Sequence, residues 1–183
     1  MLIAFGIFAI IMVVSAGSLI SLMDANNRAQ HLKTVVNNLH FAFENMSRNI
    51  RTGSLYHCDI SEGSASEPRE CPEEGATSLA FTSRTGALTI YQLNASGYID
   101  RTVGSESAVP ITAPEVKVET LRFYVDGACP ASNTGQNKID GCPGSDNEQP
   151  RVLIVAKGVM TGRGGIESRF DVQTLVSQRQ LDI

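Results

Sequence analysis

The chain has 183 residues, of which 42% are hydrophobic and 19% charged, and its formal net charge is −4 at pH 7. That length supports one domain of ordinary size with a modest core. The charge is uneven, since residues 1–53 carry four basic and two acidic side chains whereas residues 54–183 carry 11 basic and 17 acidic ones. An acidic body without a basic cluster is a poor match to a polyanion, so we expect no nucleic-acid partner.

The first twenty-three residues, MLIAFGIFAIIMVVSAGSLISLM, contain no charged side chain. At about 1.5 Å per residue, a helix of this length reaches ~35 Å, enough to cross a ~30 Å hydrocarbon core. A cleaved signal peptide is the alternative, but no basic residue precedes Arg28 and the run is longer than a usual signal. We therefore predict a membrane-spanning and assembly helix over residues 1–23, with lipid as a partner. The residues assigned to it are Leu2, Ile3, Phe5, Gly6, Phe8, Ile10, Val13, Gly17, Ile20 and Ser21.

The helical pattern continues beyond residue 23 with one apolar face. Apolar residues recur every three or four positions as far as Ile50, cationic Arg48 and Arg51 suit a helix C-terminus, and Gly53 is a typical stop. The sequence thus predicts one helix of about fifty residues whose segment 24–53 is amphipathic. Its apolar face suits either a membrane-proximal coiled coil or packing against a β-sheet. The stripe expected to face the sheet consists of Leu32, Val36, Leu39, Phe43, Met46 and Ile50.

Beyond Gly53 the apolar period changes from 3.6 to 2, which is typical of β-strands. The alternation slips between Val118 and Leu121, as at a β-bulge. Hairpin-length connections favour an antiparallel sheet. A long helix followed by strands is the α+β layout, so residues 54–183 are predicted to form an antiparallel β head. Runs rich in β-branched and aromatic residues lie at 78–83, 87–93, 98–103, 115–127, 151–160 and 166–178.

Four cysteines flank two loop-like segments of the predicted head. They are Cys58 and Cys71, then Cys129 and Cys142, and the members of each pair are thirteen positions apart. Of the three possible pairings, the local one would close both loops and stabilise the head by roughly 3 kcal/mol per bridge. A zinc site is the alternative, although the close spacing of structural zinc ligands is absent. Disulfides would indicate an oxidising space, either the periplasm or the cell exterior.

Nothing in the sequence forms a catalytic or cofactor motif. His31 and His40 lie on the predicted helix and His57 lies beside a cysteine, outside any catalytic pattern. The acidic residues of the loop after position 125 are oxygen ligands suitable for calcium, yet their spacing matches no calcium loop, and a solvated acidic loop is the alternative. We expect a protein that is not an enzyme and needs no cofactor or metal. The acidic residues in question are Asp126, Asp140, Asp146 and Glu148.

Three segments resemble the type IV pilin-like superfamily, most of all minor pilins and the J-class pseudopilins of type II secretion systems. They are the apolar run at the start, NLHFAFENMSRNIRTG at 38–53 and FDVQTLVSQRQLDI at 170–183. The resemblance implies the pilin fold and a single-pass protein of the inner (cytoplasmic) membrane whose head lies in the periplasm or outside the cell. It also implies a structural subunit that packs its apolar helix against those of other pilin-like subunits in a homo- or hetero-oligomeric filament.

The sequence departs from this family at its start. Family members carry a short basic leader that ends in glycine, then a phenylalanine-like residue and, a few positions later, a glutamate that offsets a neighbour's amino terminus. Met1 falls close to the position after that glutamate. The roles of the leader, of its cleavage site and of the glutamate are therefore assigned to no residue of this sequence. We expect weaker assembly of this chain, whether it starts at an internal methionine or was trimmed. The alternatives are a membrane-anchored extracytoplasmic adhesin or ligand-binding module that forms no filament, and a periplasmic hydrolase.

Overall fold

The computed structural model describes residues 2–130, 141–142, 148–162 and 167–179, apart from the side chains of Leu2 and His31. Within these ranges one helix precedes eight strands, so the predicted α+β architecture is confirmed. The strands form two antiparallel sheets, with the orders β1-β2-β3-β4-β5 and β6-β7-β8. The elements are α1 (Leu2–Arg51), β1 (Ser54–Cys58), β2 (Ser78–Thr82), β3 (Leu88–Leu93), β4 (Ile99–Val103), β5 (Val109–Pro110), β6 (Val116–Asp126), β7 (Arg151–Thr161) and β8 (Glu167–Ser177).

Helix α1 runs without interruption and ends where the sequence predicts. Gly53 N–H donates to the Ile50 carbonyl at 2.9 Å and closes the last turn. Among the described residues, the second half of the helix is buried on the head, where it lies against β7 and β8. Packing against a sheet, rather than a coiled coil, is therefore the correct prediction for this half. The buried residues of this face are Val35, Leu39, Ala42, Phe43, Met46 and Ile50.

One position of the predicted stripe is wrong. Val36 is 47% exposed, whereas Val35 is only 2% exposed. A spacing of three or four residues from Leu32 reaches either valine, and packing selects Val35 because it shares the face of Leu39 and Met46. Val36 is rotated about 100° from Val35 and lies at the margin of the contact. Leu32 is partly buried.

The two sheets and the helix share one hydrophobic core. Ala76, just before β2, exchanges two backbone hydrogen bonds of 2.8 and 2.9 Å with Phe123 of β6, which joins the sheets. Fully buried side chains from all three layers, including Ile50, Phe81 and Ile154, belong to a single cluster. The sequence predicted an antiparallel head without this division into two sheets, and it missed the short strands β1 and β5.

The three-stranded sheet is tightly packed around its central strand. The register of β6 with β7 shifts between Val118 and Thr120, which confirms the predicted bulge. Gly158 of β7 pairs with both Val118 and Phe170, and a Cβ atom there would lie 2.9 Å from the Val118 Cα and from the Phe170 ring. Glycine is therefore required at position 158, because the neighbouring strands approach too closely for a Cβ atom. Strands β7 and β8 form the predicted hairpin, from Arg151↔Ser177 to Thr161↔Glu167, while residues 163–166 of its connection lie outside the described ranges.

Candidate functional site

The first half of α1 projects from the head with its apolar side chains uncovered. Every described side chain from residue 3 to residue 30 is exposed, and Ile3 and Val13 are 81% and 73% accessible. This helix is long and apolar enough to cross a membrane, judged by its length and composition. Soluble monomers rarely expose an apolar surface of this extent. The described part of the predicted segment 1–23 could therefore span a membrane.

One face of this exposed segment carries both of its glycines. At 100° per residue, Gly17 lies within about 20° of Gly6 around the helix axis, and Ile10, Val13 and Ile20 lie between or beside them. A Cβ atom added to either glycine would have no neighbour within 4 Å. Glycine inside a helix costs roughly 0.5–1 kcal/mol relative to alanine, and no contact within the described protomer requires it here. The face is thus open to close approach by a second helix.

A polar section separates the apolar segment from the docked segment. Arg28 pairs with Asp24 at 2.8 Å, one helical turn away, and both side chains are exposed. Residues 24–30 are exposed all round, and burial begins at Leu32 and Val35. The predicted amphipathic segment 24–53 therefore divides into a solvated part over residues 24–30 and, from Leu32 onward, a part packed on β7 and β8.

Both predicted disulfides are present. Cys58 is bonded to Cys71 and Cys129 to Cys142, with Cα–Cα distances of 5.1 and 5.6 Å. The zinc alternative is wrong, because all four sulfur atoms are bonded to one another. Disulfides persist in oxidising spaces, so the head has the character of an extracytoplasmic domain.

The first disulfide loop, residues 59–70, is organised around His57. This side chain is 2% exposed, and its Nδ1 and Nε2 atoms each lie 2.7 Å from a loop carbonyl, those of Glu67 and Glu62. Both ring nitrogens are engaged in the loop, so neither is free for a metal or a substrate. The sequence placed His57 beside a cysteine but contained no signal for this structural role.

Hydrogen bonds at the start of the same loop stabilise a carboxylate. The Ser61 hydroxyl donates to Asp59 Oδ1 at 2.7 Å and the Ser61 backbone N–H donates to the same atom at 3.1 Å. These two bonds hold the pKa of the Asp59 carboxyl below its ordinary value of 3.8, and the bond from the hydroxyl has the larger effect. Arg69 forms an ion pair with Glu62 at the other end of the loop. The loop is thus tied by polar contacts as well as by its disulfide.

The two disulfide loops contact each other at their ends. Glu70 N–H donates to the Gly141 carbonyl at 3.4 Å, and the Cys142 sulfur lies 3.7 Å from the Pro68 carbonyl. The Glu70 carboxylate in turn accepts a hydrogen bond from Gly127 N–H at 3.2 Å. The described ends of the two loops are therefore joined, although they are far apart in the sequence.

The candidate metal ligands are not gathered in the described part of the chain. Arg151 lies between Asp126 and Glu148, with oxygen atoms 2.7 and 3.0 Å from its guanidinium nitrogens, and both carboxylates raise the pKa of Arg151. Asp140 and Asp146 lie outside the described residues. Among the residues that are described, no three His, Cys, Asp or Glu side chains are grouped so that they could hold a metal ion.

Comparison of the chain with protein-family models, with curated proteins and with solved structures finds no match. Its structure alone defines the molecule as an α+β head, closed by two disulfides, at the end of a single helix whose first half is apolar and exposed. That combination of features is the basis for a functional proposal.

Proposed function

We propose that this chain is a structural subunit without enzymatic activity, a minor pilin or pseudopilin of a type IV pilus-like or type II secretion filament. The observation that carries the proposal is the uninterrupted helix α1, with an apolar half exposed on every side and a second half fixed to the head. Before assembly, the apolar half spans the inner membrane and the disulfide-closed head lies outside the cytoplasm.

Assembly would exchange lipid for neighbouring helices around the same side chains. Lipid tails are as apolar as leucine, so the exchange gains nothing from the hydrophobic effect and depends on close packing. The face that carries Gly6 and Gly17 supports this step, because small residues let two helix backbones approach closely. Larger residues on this face would oppose assembly without affecting membrane insertion.

The test is a matched pair of substitutions in the native host or a reconstituted assembly system. Gly17→Leu fills the glycine face, whereas Ser15→Leu adds the same side chain on the opposite face of α1. Both variants should insert in the membrane as well as the unaltered chain does. We expect Gly17→Leu to reduce the amount of the chain in sheared filaments by roughly tenfold, and Ser15→Leu to leave it within about twofold.

Recovery of the unaltered chain only with membranes, and never with filaments, would contradict the proposal and favour a membrane-anchored adhesin or ligand-binding module. An equal loss for both variants would reject the glycine face as the packing surface. A periplasmic hydrolase would instead require turnover that disappears when a candidate acid or histidine is replaced.

A further inference from the structure

A cavity with three arginines lies at the end of α1 that is remote from the apolar segment. Its volume is about 390 Å³, and its lining residues are Arg51, Thr52, Gly53, Arg84 and Arg179. This volume is within the range of roughly 300–1,000 Å³ that is usual for small-molecule sites. The three arginines are exposed, so the cavity is open to solvent.

Backbone contacts between three separate elements bring these arginines together. Arg51 is the last residue of α1, Arg84 lies in the turn between β2 and β3, and Arg179 follows β8. The backbone N–H of Arg179 donates to the Arg51 carbonyl at 2.8 Å, which fixes the end of β8 to the end of the helix. The cluster is therefore held by the fold.

The turn that carries Arg84 is equally well held. Gly53 seats the helix end on β2 so closely that a Cβ atom there would lie 3.1 Å from the Thr82 carbonyl oxygen and against the Phe81 ring. In the β2–β3 turn, Gly86 N–H donates to the Ser83 carbonyl at 2.8 Å, and Gly86 has the positive φ of 82° that favours glycine. Arg84 is thereby presented beside the helix end.

Capping of the helix does not account for the arginines. A cation near a helix C-terminus commonly interacts with the unpaired carbonyls of the last turn. Here those carbonyls already have donors. The Thr52 hydroxyl shares its one proton between the carbonyls of residues 48 and 49, and Gly53 N–H and the Tyr56 hydroxyl donate to that of Ile50. The Arg179 N–H donates to the carbonyl of Arg51. Among the described contacts, the last-turn carbonyls therefore do not depend on the arginine side chains.

Within the described ranges, none of the three guanidinium groups forms an ion pair. Arg48, one turn earlier on α1, pairs with Glu44 at 3.2 Å, and Arg151 pairs with two carboxylates. Three cations around one cavity repel one another, and an anion bound between them would remove that repulsion. In the part of the chain that the structure describes, the arrangement is that of an anion site without a protein anion.

We propose that this cavity binds a phosphate group carried by a small ligand. The guanidinium fork donates pairs of hydrogen bonds that match phosphate geometry, and three such groups suit the nearly doubly charged phosphate monoester. The remainder of the head is acidic, since residues 54–183 carry 17 acidic side chains and, apart from Arg84 and Arg179, 9 basic ones. A compact phosphate is therefore favoured over an extended polyanion, which the rest of the surface would repel.

The ligand reaches the cavity from the side of the head and not from the membrane that α1 spans. Residues 24–51 of the helix separate the cavity from the apolar segment by about 40 Å. Headgroups of that membrane are too distant to enter. The site would exist whether or not the chain assembles into a filament.

Calorimetry on the full chain in an uncharged detergent at low salt tests the proposal, with inorganic phosphate and glycerol phosphate as titrants. We expect saturable binding of both, weakened roughly tenfold or more by Arg84→Gln and by Arg179→Gln, since each removes a charge-assisted pair of hydrogen bonds. Arg169→Gln, an exposed arginine of β8 outside the cavity, removes the same charge and should change the affinity less than about twofold. Circular dichroism checks that each variant is folded.

Further titrants separate the possible sources of the phosphate. Short-chain phosphatidic acid that binds more tightly than glycerol phosphate, with the same response to Arg84→Gln, would support the site and identify a lipid source from a second membrane. Absence of saturable phosphate binding, or equal weakening by Arg169→Gln, would overturn the proposal. A single-stranded oligonucleotide that binds while small phosphates do not would also overturn it, in favour of a polyanion surface.

Discussion

Tyr91 links the docked half of α1 to the five-stranded sheet. It lies in β3, is fully buried, and accepts a 3.0 Å hydrogen bond on its hydroxyl from Asn49 of the helix. Its ring stacks on Phe81 with a centroid distance of 5.9 Å. Burial raises the pKa of Tyr91 above its ordinary value of 10.0, while the hydrogen bond from Asn49 acts in the opposite direction.

The raised pKa predicts how Tyr91 stabilises the head at alkaline pH. The folded state holds the phenol proton more tightly than the unfolded state, so this stabilisation is complete below the unfolded pKa of about 10 and is lost as the pH rises through the folded pKa. Tyr91→Phe should cost about 1 kcal/mol near neutral pH through the lost hydrogen bond. Above about pH 10 the difference between the two proteins should decrease.

Urea unfolding of the full chain in detergent, followed from neutral pH to about pH 11, measures this difference. Tyr98→Phe, at a half-buried tyrosine of the β3–β4 turn, controls for the loss of a hydroxyl elsewhere. A difference between Tyr91→Phe and the unaltered chain that stays constant across the range would show that Tyr91 does not ionise with unfolding.

Among the elements, the loop 59–70 depends on its disulfide because it buries little apolar surface of its own. It is held to β1 by backbone hydrogen bonds, including Arg69 N–H to the Tyr56 carbonyl at 2.9 Å, and to His57 by two ring contacts. Replacing Cys58 and Cys71 by serine should lower the free energy of unfolding by roughly 3 kcal/mol, the loop-entropy value for a closure of this length.

The second bridge provides a matched comparison, because both disulfides span a sequence separation of 13. If chain entropy governs both, the serine pair at Cys129 and Cys142 should lower stability by a similar amount. Mass spectrometry of the unreduced protein should show Cys58 linked to Cys71. Stability that does not change on reduction would contradict the role assigned to these bridges.

As a whole, the molecule has a disulfide-closed head, packed on the second half of α1, at one end and the exposed apolar half of α1 at the other. The double substitution Ile10→Asp with Val14→Lys places two charges near the middle of the apolar half of α1. It should disfavour membrane insertion by roughly 5–7 kcal/mol. We expect this variant to be lost from the membrane fraction, because the two charges oppose insertion of the apolar half of α1 into lipid.

The control places the same charges in the solvated section of α1, as Asn27→Asp with Gln30→Lys, and should remain in the membrane. Alkaline carbonate extraction followed by sedimentation distinguishes the two variants. If the unaltered chain, with its first two dozen residues intact, proves soluble and monomeric without detergent, the proposed membrane anchor and the proposed filament role are both rejected.

Periodicity along the chain was sufficient to predict the features that depend on neighbouring residues. Apolar spacing predicted the helix of about fifty residues, the strands β2 to β4 and β6 to β8, and the bulge after Val118. The short sequence separation within each cysteine pair favoured the two local disulfides. Each of these patterns can be read from residues that are close in sequence. The exposed apolar segment follows from its composition in the same way.

Packing decided the features that join distant parts of the chain. It selected Val35 over Val36, divided the head into two sheets and enclosed His57 in carbonyls of the first disulfide loop. The cavity of three arginines has no pattern in the sequence, since Arg84 and Arg179 lie 33 and 95 positions after the preceding member. Such groupings depend on how elements pack together, and neither residue type nor spacing encodes that arrangement.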